Sequence, residues 1–118
     1  KSSTVVRFLE RETYASYVNA ALAVAYAPFD EDSHGYVTME AAEAAKPVIT
    51  LSDSGGVLGL VRNGETGWVT EPDAEAIGTA YSEVWADRPD TRSRGAAARE
   101  LWHQYRIDWD LVIELLLA

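Results

Sequence analysis

The sequence predicts an α/β domain: a Rossmann-like, three-layer sandwich with a short, mostly parallel sheet and helices closing the chain. Three observations predict it. Short β-branched or apolar runs alternate with stretches of helical periodicity, the pattern of strands joined by helices. From Asp73 onward the pattern is helical alone. The 118 residues, 47% of them apolar, can also bury one core, which excludes disorder, and no linker divides residues 1–118 into two domains.

The first run, Thr4-Val5-Val6-Arg7-Phe8-Leu9, reads as a strand. A helix follows, with Tyr14, Tyr17, Val18 and Ala21 at three- and four-residue steps. Residues 21–27, Ala-Leu-Ala-Val-Ala-Tyr-Ala, are apolar throughout, as in a strand covered on both faces, and Pro28 closes them. An acidic loop, Phe29-Asp30-Glu31-Asp32-Ser33-His34-Gly35, precedes a second helix reaching about Ala45, with Val37, Ala41 and Ala44 on one face. Pro47-Val48-Ile49-Thr50-Leu51 is a third strand, and Gly67-Trp68-Val69-Thr70 a fourth after the Asn63-Gly64 turn. Asp73 caps the next helix, whose stripe is Ile77, Tyr81, Val84 and Trp85. Asp90 starts another, with Ala97, Leu101 and Tyr105 in line. Asp108 caps the last, lined by Trp109, Val112, Leu115 and Leu116.

Charge and composition narrow the function. Nineteen acids against ten Lys and Arg give a net charge of −9, which nucleic acid and anionic membrane surfaces repel on average. The absence of cysteine excludes a disulfide scaffold, a Cys-ligated zinc site and a thiol nucleophile. No apolar run approaches the roughly 20 residues that span a bilayer. No signal peptide is visible, so a cytoplasmic location is expected.

The informative segment runs from Pro28 to Glu40: strand, acidic loop, glycine, helix. Ligands of open α/β sheets sit outside the carboxyl ends of strands, where this loop lies. Gly35 allows close approach to the backbone. The N–H groups of Tyr36, Val37 and Thr38 form a first helical turn that favours an anion. Asp32 and Glu40, eight residues apart, can accept hydrogen bonds from hydroxyl groups. A ligand joining phosphate to polyols, such as a nucleotide sugar, suits the set. The same residues also read as an acidic surface loop before a solvated helix. A calcium loop fits less well, because His34 takes a ligand place and Ala41 stands where a bidentate Glu is required.

The run Tyr26-Ala27-Pro28-Phe29-Asp30-Glu31-Asp32-Ser33-His34-Gly35-Tyr36-Val37-Thr38-Met39-Glu40-Ala41 resembles the donor-site signature of retaining glycosyltransferases of the GT-B fold, the group 1 or GT4 family. That signature is an acid, seven residues, then Glu, with Gly between. Asp32 stands where the family usually has Glu. Lys46-Pro47-Val48-Ile49-Thr50, Asp53-Ser54-Gly55-Gly56, Asn63-Gly64-Glu65-Thr66-Gly67-Trp68-Val69 and Ile107-Asp108-Trp109-Asp110 resemble its later motifs, and Val6-Arg7-Phe8-Leu9 the strand before its base-binding loop. The resemblance spans essentially the whole chain. It implies transfer of a sugar from a nucleotide-diphospho sugar, with retention of configuration and no metal or cofactor. It assigns the ribose to Glu40, the transferred sugar to Asp32, Gly35 and Tyr36, the diphosphate to Val37 and Thr38, and the base to the loop at Leu9 and Glu10.

The departures are Ala45 and Glu10 in place of Gly, Gly59 in place of an acid, and His34 in place of an aromatic. The family's N-terminal acceptor domain and the first two strands of its C-terminal domain are also missing, with the basic pair that neutralises the diphosphate. The chain therefore reads as the later part of a donor-binding domain, inactive alone, with no complete catalytic set; its start at Lys1, with Met39 its only methionine, agrees. The parent enzyme can sit peripherally at a membrane. The alternative is a non-catalytic Rossmann-like module that self-associates through an unpaired sheet edge, so a homodimer or an altered strand order is expected.

Other residues read as structural. His34 flanks the site as a loop residue, with general base as the lesser alternative, and His103 lies on a helix. Ser52, Asp53 and Ser54 lack a placed histidine for a hydrolytic triad. Arg88, Arg92, Arg94 and Arg99 read as a solvated helix face, or as a patch for a partner or membrane surface. The four tryptophans read as core.

Overall fold

A computed structural model describes residues 10–117 of the chain, and within them the side chains of all but 11 and 106–110. In chain order the elements are α1 (Arg11–Ala20), β1 (Val24–Ala25), α2 (Tyr36–Glu43), β2 (Val48–Leu51), a 3₁₀ turn (Gly56–Gly59), β3 (Gly67–Thr70), α3 (Ala74–Ala86) and α4 (Arg88–Leu117). The strands form one parallel sheet in the order β1-β2-β3. The expected α/β class and the parallel sheet are therefore present. The strand expected at residues 4–9 lies outside the described residues.

Alternation along the strands divides the core into two layers. Val48 packs with Ala41, Val57 and Val61 on the face covered by α2 and the 3₁₀ turn, with Val24, Tyr26 and Val69 against them. Ile49 and Trp68 face the other way and meet Ala80 and Val84 of α3, with Leu22 and Ala23 beside them. Helix α4 runs past the β3 side, touching α2, α3 and β3.

Strand β1 is shorter than the apolar run that predicted it. Pairing with β2 aligns Val24 with Val48 and Ala25 with Ile49, through the N–H of Val24 to Pro47 O and of Tyr26 to Ile49 O, both 3.0 Å. Residues 21–23 precede the first residue of β2 and have no ladder to join. Nor is the strand covered on both faces, because Ala25 is exposed beyond the reach of α3.

The C-terminal helices are two, not three. Asp73 caps α3 as expected, its Oδ1 accepting the N–H of Ala76 at 2.8 Å. Asp87, rather than Asp90, opens α4: its Oδ1 accepts the N–H of Asp90 at 3.1 Å and its carbonyl that of Thr91 at 3.0 Å. Fully buried Thr91 secures the corner by donating to Val84 O and Asp87 O. The helix then continues through Asp108. A capping residue ends nothing by itself, and no proline interrupts the 30-residue helix after its first turn.

The arginines and tryptophans also depart from expectation. Arg94 is mostly buried, with its guanidinium 3.9 Å above the Trp68 ring, Nε on Asp90 at 2.9 Å and Nη1 donating to Gly67 O at 2.9 Å. It fastens α4 to β3 rather than facing solvent. Trp68 is core, its indole N–H donating to Glu83 at 3.0 Å. Trp85 is 54% exposed beneath Arg88, and Tyr81 is 51% exposed, because only Ala80 and Val84 of α3 reach the core. The last turns of α4 leave Leu115, Leu116 and Leu117 exposed as well.

Two backbone contacts hold α2 in place. Its C-terminus closes with Ala45 N–H on Ala42 O and Lys46 N–H on Ala41 O, a Schellman pattern that puts Ala45 at φ 58°. This is the position where a Gly was the expected residue. Next to it, a Cβ on Gly95 of α4 would run into the Ala45 carbonyl oxygen and lie 3.1 Å from Pro47 Cδ.

Ala45→Gly removes a left-handed alanine and is expected to stabilise the fold by roughly 1 kcal/mol in chemical denaturation. Gly95→Ala should destabilise it by about 1–3 kcal/mol, the reverse of the usual gain from Gly to Ala in a helix. A neutral or stabilising Gly95→Ala would contradict the close packing of α4 on Ala45.

Candidate functional site

The site is built where the carboxyl ends of β1 and β2 open into loops. Residues 26–34 leave β1, residues 52–55 leave β2, and the two loops are joined by backbone. Asp30 N–H donates to Asp53 O at 2.8 Å, Glu31 N–H to Ser54 O at 3.0 Å, and Gly56 N–H to Glu31 O at 2.6 Å. The pairing continues the parallel ladder past the sheet, with Glu31 opposite Gly55. It requires glycine. A Cβ at Gly55, where φ is +77°, would lie 2.6 Å from the Glu31 backbone, and one at Gly56 would lie 2.7 Å from Ser33 O. Ser54 is buried with its hydroxyl on Thr50 Oγ1 at 2.7 Å, so it is an interior brace and no nucleophile.

The joined loops deliver the chain to Gly35, the residue before α2. Gly35 is buried, has φ +79°, and lies against Tyr26: a Cβ there would be 3.0 Å from the ring. Tyr26 in turn reaches Glu31 with its hydroxyl at 3.4 Å. Gly35 N–H meets Ser33 Oγ at 3.3 Å, and no side chain caps α2. The helical ladder starts with Met39 donating to Gly35 O at 3.2 Å. The N–H groups of Tyr36, Val37 and Thr38 precede that bond, so the positive end of α2 is presented without a built-in acceptor.

The predicted residues divide around this point. Asp32 is exposed in the loop, and Tyr36 stands 83% exposed at the first position of α2. Val37 is half-buried. Thr38 is 1% exposed and its Oγ1 has no hydrogen-bond partner among the described residues. Glu40 is exposed one turn further on. It lines a cleft of about 290 Å³ between α1 and α2, with Tyr14, Ala15, Val18, Asn19 and Ala44. Burial, and then the charge of Glu40, push the Tyr14 phenol above its ordinary value. Asp32 does not line that cleft; it stands in the loop before the helix, eight residues ahead of Glu40. Glu10 is exposed directly before α1 with φ −66°, a conformation that needs no glycine. Leu9 lies outside the described residues.

The electrostatic balance is one-sided. Asp30, Glu31 and Asp32 surround the loop, and none has an ion pair among the described residues. Lys46 lies beyond the C-terminus of α2, a helix of eight residues and about 12 Å, at the end away from Gly35. The described residues contain no group of three His, Asp or Glu placed to hold a metal ion. They also contain no helix long and apolar enough to cross a membrane.

Three supports of the site carry no local sequence signal. Tyr26 falls in a strand pattern, yet its ring backs Gly35. Tyr14 falls in a helical stripe, yet it walls the cleft of Glu40. The third is a pair of departures that compensate. His34 stands where an aromatic was expected and Gly59 where an acid was, and the structure puts the imidazole into the space that Gly59 leaves. His103 is structural in a specific way: Nε2 meets Glu43 Oε2 at 2.9 Å, joining α4 to α2.

Among solved structures, the chain is similar to sucrose-phosphate synthase from Thermosynechococcus elongatus, with 29% identity and a TM-score of 0.73 over 97% of this chain and 30% of that one. It is also similar to the Anabaena protein HepE, at 25% identity and a TM-score of 0.62 in complex with UDP-glucose, over 86% of this chain and 29% of that one. The HepE complex with UDP superposes at a TM-score of 0.71 with 22% identity over the same shares, a likeness of fold. The chain thus spans about a third of the length of these proteins. No curated relative matches it. The sequence profile of the glycosyl transferases group 1 matches residues 1–101, most of the chain. With the parallel sheet and its strand-end loops in place, this chain belongs to the group 1 glycosyl transferases.

Proposed function

We propose that the chain is the donor-binding part of an enzyme that transfers a sugar from a nucleotide-diphospho sugar with retention of configuration. The observation that carries the reading is the uncapped start of α2 at Gly35, with Asp32 in the loop before it and Glu40 in the second helical turn. Supporting it, HepE is a structure solved with UDP and with UDP-glucose.

In this reading the N–H groups of Val37 and Thr38 receive the diphosphate at the positive end of α2. When the bond from the anomeric carbon to the diphosphate oxygen breaks, these dipoles stabilise the charge that develops on the leaving group. Asp32 accepts hydrogen bonds from hydroxyls of the transferred sugar, which the backbone at Gly35 and Tyr36 faces. Glu40 takes the ribose hydroxyls at the mouth of the α1–α2 cleft, and the base lies toward Leu9 and Glu10. A diphosphate brings two negative charges to a loop that already carries three acids. Donor binding by residues 1–118 alone is therefore weak, and transfer needs basic groups and an acceptor site besides the groups described.

A second reading, self-association, is favoured by a separate observation. Leu22, Ala23, Ala25, Ile49, Tyr81 and Val84 line an open groove of about 240 Å³ beside β1, where α3 does not cover the sheet. The described residues place no strand against the outer edge of β1.

Calorimetric titration with UDP, GDP and their glucose conjugates tests the first reading. Saturable binding is expected with a dissociation constant on the order of 1 mM, since the charged partners are few. Glu40→Ala should weaken both nucleotide and nucleotide sugar, and Asp32→Ala the nucleotide sugar alone, each by about tenfold or more. Binding that survives both substitutions would contradict the assignment. Sedimentation equilibrium tests the second reading: a dimer that Ala25→Lys dissociates supports it, and a monomer at all concentrations removes it.

A further inference from the structure

His34 has no place in the donor contacts just described, yet it is the most constrained side chain of the loop. Its Nδ1 lies 3.0 Å from Gly56 O. A carbonyl only accepts, so Nδ1 carries the proton and donates. The ring stacks on Tyr105 of α4 with centroids 5.2 Å apart and planes at 28°. Tyr105 in turn donates its hydroxyl to Gly59 O at 3.1 Å. On the remaining side the imidazole fills the position of a side chain at 59: a Cβ on Gly59 would lie 2.6 Å from Cε1 and 3.0 Å from Nδ1. One ring thus touches the 3₁₀ turn at both ends and the terminal helix, from the residue between Ser33 and Gly35.

We propose that His34 is a positioning residue of the donor site, a wedge that sets Asp32 and Gly35 by locking their loop to the 3₁₀ turn and to α4. The proposal rests on the donor-site reading above. Asp32 and Gly35 flank the wedge within two residues, whereas Glu40 lies in the second turn of α2 facing the α1 cleft. The sugar-holding side therefore depends on His34, and the nucleoside side does not. Gly59 is the complement of the wedge: glycine there leaves the volume the ring occupies, and any larger residue expels it. The ring also makes α4 part of the site, because Tyr105 stacks on the imidazole and bonds the Gly59 carbonyl beside it.

The test compares the full 118-residue chain with His34→Ala, Gly59→Ala and the double variant. UDP-glucose and UDP are titrated against each by NMR, and amide exchange is followed at Asp30, Glu31 and Gly56, with Ile49 and Thr50 of β2 as internal controls. Loss of the wedge is expected to weaken UDP-glucose about tenfold, the scale of one misplaced hydrogen-bonding group, with UDP changed less than about twofold. Exchange at the three loop amides should rise by about tenfold while β2 stays protected. Gly59→Ala should reproduce the effect with the imidazole still present, and should add nothing once His34 is alanine. A general loss of stability would weaken both ligands and deprotect β2, which would overturn the positioning role; so would additive effects of the two substitutions, or UDP-glucose binding unchanged. Failure of the unmutated chain to bind either ligand would overturn the donor-site reading instead, and the proposal with it.

Discussion

The backbone joint between residues 30–31 and residues 53–56 is the constraint on which the rest of the site depends. Three hydrogen bonds carry the β1–β2 pairing past the end of the sheet, and Gly55 and Gly56 permit an approach that no side chain could share. Because the joint fixes Glu31, it fixes the path to Gly35. Gly35, backed by Tyr26, then starts α2 with its first N–H groups turned to the same end of the sheet. The opposite end of α2 is fixed just as closely, by the left-handed Ala45 and by Gly95 pressed on its carbonyl. A helix of only eight residues has little stability of its own, so its direction is set by these two backbone contacts rather than by propensity.

What the sequence made legible follows the range of the interactions. Asp73 as a helix cap and Gly35 before α2 are signals carried by a few adjacent residues, and each is where it was expected. The ordered motifs made the family legible as well. The errors arise where a local signal was outweighed by a distant partner. Asp90 and Asp108 are good caps in isolation, but the corner is set by Asp87 with Thr91 bonded back to Val84, and nothing breaks the helix afterwards. Arg94 looked like one of four surface arginines, and only the fold puts Trp68 and Asp90 around it. The run at 21–27 was apolar enough for a longer strand, but pairing length is decided by where β2 begins.

The site shows the same division. Residue types at 32, 35 and 40 could be read from spacing alone. That Glu40 lines a cleft shared with Tyr14 could not, since it depends on how α1 packs on α2. The relation of His34 to Gly59 and Tyr105 was equally hidden, because each departure from the family pattern looks like a loss until the imidazole is seen in the space of the missing side chain. Two substitutions that look like damage separately are one packing solution.

If the first turn of α2 meets an anionic, hydroxyl-bearing ligand, backbone amide shifts mapped on adding UDP-glucose will show it. The largest changes are expected at Tyr36, Val37 and Thr38, with smaller ones at Glu40 and Asp32. Changes confined to the open groove by Asn63, Asp73 and Glu83 at the other side of β3, or none at saturating ligand, would contradict it.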